Sequence, residues 1–146
     1  MNPEQRTEWE REKQRIQESI SQMNIPADPN TGILKKLLSD IDSLYTSVRL
    51  EYADLKYKKE RIEKMIYAVE KKGALNGSND TSRRANGVIA VENFRTEDGR
   101  VINLWDSLFD VAEKYEFLAG VISTLESKQS KIVTENGILK LERGIL

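Results

Sequence analysis

Residues 33–72 read ILKKLLSDIDSLYTSVRLEYADLKYKKERIEKMIYAVEKK. Leu34, Ile41, Val48, Leu55, Ile62 and Val69 recur at every seventh position without a miss. Leu37, Leu44 and Met65 stand three places after Leu34, Ile41 and Ile62, while Glu51 and Lys58 take that second position midway. No glycine or proline interrupts the run. Apolar residues spaced this way put one stripe on one side of a helix, the a/d pattern by which helices pair. At 1.5 Å of rise per residue the helix would be roughly 60 Å long, which predicts an elongated molecule.

A second seam answers the first. Over residues 104–143, Leu104, Val111, Leu118, Leu125, Ile132 and Leu139 recur every seven residues, and Leu146 falls on the same spacing. Leu108, Tyr115 and Ile122 fill the companion position, which then passes to Gln129, Asn136 and Arg143. Polar residues at core positions cost stability but fix register and oligomeric state. Gly120 and Gly137 each weaken the helix by about 1 kcal/mol relative to alanine. Asn103 and Asp106 are the candidate N-caps.

The flanking segments are weaker in pattern. Residues 4–23 predict a short helix whose narrow stripe, Trp9, Ile16, Ile20 and Met23, must dock on another element because it is too thin to hold itself. It stops at Asn24-Ile25-Pro26. In the linker that follows, Asp28 before Pro29 reads as a helix cap, with Thr31 competing. Residues 73–87, rich in Gly, Asn and Ser, read as a flexible loop. Val88-Ile89-Ala90-Val91-Glu92-Asn93-Phe94, then Asp98-Gly99, then Arg100-Val101-Ile102 predict a small β-hairpin, with an extended or partly helical segment as the alternative. The fold class expected is mostly α: an antiparallel helical hairpin or coiled coil with a short N-terminal helix and a small hairpin between the long arms. Residues 1–32 form the docking helix and linker and 33–146 the remainder, one domain in all.

Composition agrees. The chain has 146 residues, 38% hydrophobic and 32% charged, yet 23 basic residues nearly balance 24 acidic ones. That balance argues against disorder and suits long helices with one buried stripe. There is no cysteine and no histidine, which removes disulfides, thiolate metal sites and the commonest general base. No Walker, EF-hand or dinucleotide pattern occurs. Carboxylate pairs such as Asp40 with Asp42 or Glu60 with Glu63 are what any highly charged helix face contains. We therefore expect no catalytic residues, metal or cofactor. The polar start and the lack of an apolar run near 20 residues lead us to expect a soluble cytoplasmic or intracellular protein, a virion component included, with no membrane partner.

Two surfaces invite partners. Leu104, Trp105, Leu108, Phe109, Val111, Ala112 and Tyr115 span a wider arc than one partner helix can cover. Trp105, Phe109, Ala112 and Tyr115 are thus a candidate interface with another protein or a second copy of the chain. From residue 56 to 84, nine basic residues (Lys56, Lys58, Lys59, Arg61, Lys64, Lys71, Lys72, Arg83 and Arg84) face four acidic ones, with Tyr57 and Tyr67 interleaved. Lys56, Lys58, Lys59, Arg61, Lys64, Arg83 and Arg84 are candidate phosphate contacts, and nucleic acid is the alternative partner.

The order helix, β-hairpin, helix over residues 33–143, with heptads on both arms, resembles the architecture of prefoldin subunits. That resemblance implies long helices that clamp non-native chains and hairpins that assemble. The N-terminal helix and the linker from Pro26 to Pro29 lie outside it. In size, charge richness and lack of cysteine and histidine the chain also resembles small coiled-coil structural or accessory proteins of bacteriophages. A non-enzymatic helical interaction or assembly protein that self-associates through its heptad seams is the function expected.

Overall fold

A computed structural model describes residues 1–144; Leu146 lies outside the described residues. The order is α1 (Pro3–Ser21), α2 (Thr31–Ala74), α3 (Asp80–Glu92), β1 (Phe94–Arg95), β2 (Val101–Ile102) and α4 (Leu104–Glu142). The chain is mostly helical, with one small antiparallel hairpin between α3 and α4, in which Phe94 pairs with Ile102 and Arg95 with Val101.

Each helix starts at an asparagine. The Asn2 side chain accepts from the Gln5 amide in a capping box, and Asn79 does the same with Ser82. Asn30 Oδ1 accepts from the Ile33 amide at 2.9 Å, and Asn103 Oδ1 from the Trp105 amide at 2.9 Å. Each bond satisfies one of the four amide donors a helix start leaves open. The cap of α2 is therefore Asn30, not Asp28 or Thr31. Of the two candidates at α4, Asn103 is the cap.

The segment between the long helices also departs from expectation. Residues 73–87 are not one loop, and Val88–Val91 is not a strand: α2 runs to Ala74, α3 starts at Asp80, and only 75–79 connects them. The amides of Leu75, Asn76 and Gly77 bond back to the carbonyls of Lys72, Gly73 and Ala74 in a tight turn, each at 3.3 Å. In α3, Gly87 and Val91 are buried and one turn apart, while Val88 and Ile89 are exposed. The burial period is helical, so packing overrides the β preference of the branched side chains. The hairpin shrinks to two residues per strand around a turn in which the Thr96 amide donates to the Arg100 carbonyl at 2.8 Å and Gly99 takes φ +84°. Thr96 and Arg100 hydrogen bond to Asp98 and hold its carboxyl below the usual carboxylate range. With α3 interposed, the order is helix, helix, hairpin, helix, which departs from the prefoldin-like order.

Contacts divide the chain into two units: Met1 with Ala53–Glu116, and Asn2–Tyr52 with α4 from Phe117 onward. In the second, as α2 numbers rise from Thr31 to Asp42 to Tyr45, their α4 partners fall from Arg143 to Gln129 to Glu126. The two helices are thus antiparallel. Helix α1 runs parallel to α4: Trp9 meets Phe117 edge-on with centroids 5.4 Å apart, and Lys128 Nζ donates to the Met23 carbonyl and Asn24 Oδ1. Helix α1 has no basic residue in its own last turn, so Lys128 supplies the cation that the carbonyl end of a helix favours. Trp9, Ile16, Leu34, Ile41, Val48, Leu118, Val121, Ile122, Leu125 and Ile132 are buried here, and Leu139 is half-buried.

In the first unit, Ile66, Val91 and Leu104 form the core, with Ile62, Met65, Val69, Phe94, Ile102 and Leu108 packed around them. Phe94 and Ile102 tie the hairpin to the helices, which a two-residue hairpin requires. Leu55 is buried, Ile62, Val69 and Val111 half-buried, and Ile66 lies deeper than either neighbour on the α2 seam. Helices α2 and α3 cross with almost no gap. A Cβ on Gly73 would lie 2.7 Å from the Ala90 Cβ and 2.9 Å from the Asn86 carbonyl; one on Gly87 would lie 3.0 Å from the Glu70 backbone carbonyl.

Candidate functional site

Two surfaces of the first unit hold the sequence-predicted residues, and folding divides each set. On the first turns of α4, Leu104 and Leu108 point into the core while Trp105 and Phe109, one turn apart on another face, do not. Phe109 is 71% exposed and Trp105 37%. Ala112 and Tyr115 are half-buried, and Lys59 Nζ stands 5.7 Å from the Tyr115 ring centre. Tyr115 is therefore partly spent on α2, and the open apolar face narrows to Phe109 and Trp105. Beside them, Asp110 takes an ion pair from the amino group of Met1.

The second surface is a cleft of about 620 Å³ lined by Tyr67, Glu70, Lys71 and Ala74 of α2 and Asp80, Arg83 and Arg84 of α3. Helical spacing puts Tyr67, Lys71 and Ala74 on one side of α2, and the close crossing at Gly73 and Gly87 brings the first turn of α3 beside it. Arg83 Nε donates to the Gly77 carbonyl at 3.2 Å and its guanidinium lies 3.9 Å from Asp80. Lys71 and Arg84 have no ion-pair partner among the described residues. Tyr67 is 70% exposed.

Of the seven predicted phosphate contacts only Arg83 and Arg84 line this cleft. Lys58 pairs with Asp54 at 2.9 Å and Lys59 with Glu63 at 2.7 Å; the Glu63 bond holds the Lys59 ammonium above its ordinary pKa. Lys56, Arg61 and Lys64 are exposed elsewhere on α2. Tyr67 and Lys71 were absent from the predicted contacts. Their spacing of four was legible, but the helix that carries Arg83 and Arg84 to them was not.

The polar end of the second seam resolves within the second unit. Gln129 Nε2 donates to Asp42 at 2.7 Å, whereas Asn136 Oδ1 is buried with no hydrogen-bond partner among the described residues. No group of three or more His, Cys, Asp or Glu placed to hold a metal ion occurs among the described residues, and no helix there is long and apolar enough to cross a membrane. No family model, no curated protein and no solved structure matches the chain.

Proposed function

We propose that this chain is a non-enzymatic helical assembly protein that associates with a second copy of itself through the Trp105–Phe109 face of α4. The observation that carries this reading is Phe109, a phenylalanine 71% exposed on a well-capped helix, with a tryptophan one turn before it. Fully burying such a side chain is worth about 1.5–3 kcal/mol. In a two-fold contact each side chain counts twice. Phe109 of both copies, with the exposed third of each Trp105, stays below the roughly 8 kcal/mol of a micromolar complex even before the cost of association is subtracted. The contact is thus weak and concentration-dependent on its own, as suits a subunit that gains strength from many contacts in an assembly. A formal charge of −1 leaves little repulsion between copies. An adaptor, an assembly factor or a virion-type structural component is the role that fits.

Sedimentation velocity over a wide concentration range tests this. We expect concentration-dependent association that Phe109→Asp removes while the helical circular dichroism is kept. A strict monomer at the highest concentration would overturn the reading.

A further inference from the structure

We propose that the cleft between the end of α2 and the first turn of α3 binds single-stranded nucleic acid, with a base stacked on Tyr67 and the adjoining phosphate held by Lys71 and Arg84. This surface is separate from the Trp105–Phe109 face, and the two can succeed or fail independently.

Three features converge. Tyr67 is an aromatic residue 70% exposed to solvent, and stacking on an open aromatic face accepts any base. Lys71, one turn further along α2, and Arg84 on α3 line the same cleft, and neither is neutralised by an ion pair among the described residues. Arg83 is held in place by the Gly77 carbonyl and Asp80, so one cation is pre-oriented while two are free to close on a ligand. The first turn of α3 also presents the positive end of a helix to the same space. The acids argue for the kind of ligand. Glu70 and Asp80 share the lining with the three cations, which disfavours a dense polyanion and leaves room for one phosphodiester charge. Carboxylates also accept from base amino groups. From Tyr67 to Ala74 the cleft extends about 10 Å along α2, enough for one or two nucleotides. A phosphoserine or phosphothreonine supplies the charge but no planar group of its own.

The test is fluorescence anisotropy of the full chain with a labelled oligothymidylate, with inorganic polyphosphate as a competitor. With one phosphate neutralised, affinity should fall about two- to threefold between about 50 and 200 mM salt. Lys71→Ala and Arg84→Ala should each weaken binding and flatten the salt dependence, whereas Lys140→Ala, at the far end of α4, should not. Tyr67→Leu should cost about tenfold with the salt dependence unchanged, and Tyr67→Phe should retain affinity. Tyr67, Lys71 and Arg84 are exposed and Lys140 is half-buried, and circular dichroism of each variant should match the unsubstituted chain. No salt-sensitive binding overturns the proposal. So does an equal loss from Lys140→Ala. If polyphosphate competes fully and Tyr67→Leu changes nothing, the cleft is an anion site and the nucleic-acid assignment is wrong.

Discussion

Asn2, Asn30, Asn79 and Asn103 each precede one of the four described helices, and each turns its side chain back onto an amide of the first turn. Asparagine suits the position because its short side chain reaches N2 or N3 from an extended backbone, as Asn79 does at φ −144° and ψ 174°. We expect Asn103→Ala to cost about 1 kcal/mol, measured as a lower midpoint in urea. The same loss should follow at Asn79, where the Ser82 amide loses its acceptor while the Asn79 backbone amide keeps its bond to the Ser82 hydroxyl. Asn136 differs. The residue is half-buried within α4, and its Oδ1 is covered without a donor among the described residues.

At the scale of elements, the same substitution should have opposite signs in different helices. Gly120 and Gly137 lie inside α4 with no atom within 4 Å of a Cβ added there, whereas Gly73 has the Ala90 Cβ at 2.7 Å. Gly120→Ala and Gly137→Ala should each stabilise by up to about 1 kcal/mol. Gly73→Ala should destabilise by about 1–3 kcal/mol, because α3 must back away from α2. Thermal unfolding followed by circular dichroism reads both signs; a raised midpoint for Gly73→Ala would rule out the close crossing. This contrast also explains what the sequence made legible. Helices α1, α2 and α4 could be read because their apolar period runs long and unbroken, and Trp105 and Phe109 because the arc at the start of α4 is too wide. Helix α3 could not. Its thirteen residues are rich in Gly, Asn and Ser and end in β-branched residues, and its helical form depends on Gly87 and Val91 meeting residues far away in the chain. The cleft is built partly from α3, so it was hidden by the same gap.

For the molecule as a whole, the contribution of each aromatic to association should track what it leaves outside the fold. Phe109 is almost wholly available, so Phe109→Asp should abolish association and leave the unfolding midpoint nearly unchanged. Trp105 is only 37% exposed, so Trp105→Ala should weaken association and also lower stability. Sedimentation and urea unfolding on the two variants separate these effects; a Phe109 variant that unfolds early would mean that its ring belongs to the core. Because the association is apolar and the net charge is −1, added salt should leave it unchanged, while oligonucleotide binding at the cleft should fall about two- to threefold between about 50 and 200 mM salt.

The tight turn at 75–79 also sets a chemical clock. Asn-Gly steps occur at 76, 86 and 136. In each, the glycine nitrogen can attack the asparagine Cγ, expel ammonia and form a succinimide that water opens to aspartate or isoaspartate. Inside α3 and α4 the helix ladder holds the Gly87 and Gly137 amides away from that approach. The Gly77 amide makes a single 3.3 Å bond in a turn where Asn76 is exposed. In stored protein, peptide mapping should find deamidation at Asn76 well before Asn86 or Asn136. The new carboxylate would adjoin the residue whose carbonyl orients Arg83, so an aged preparation should bind oligonucleotide less well, and Asn76→Gln should keep its affinity with time.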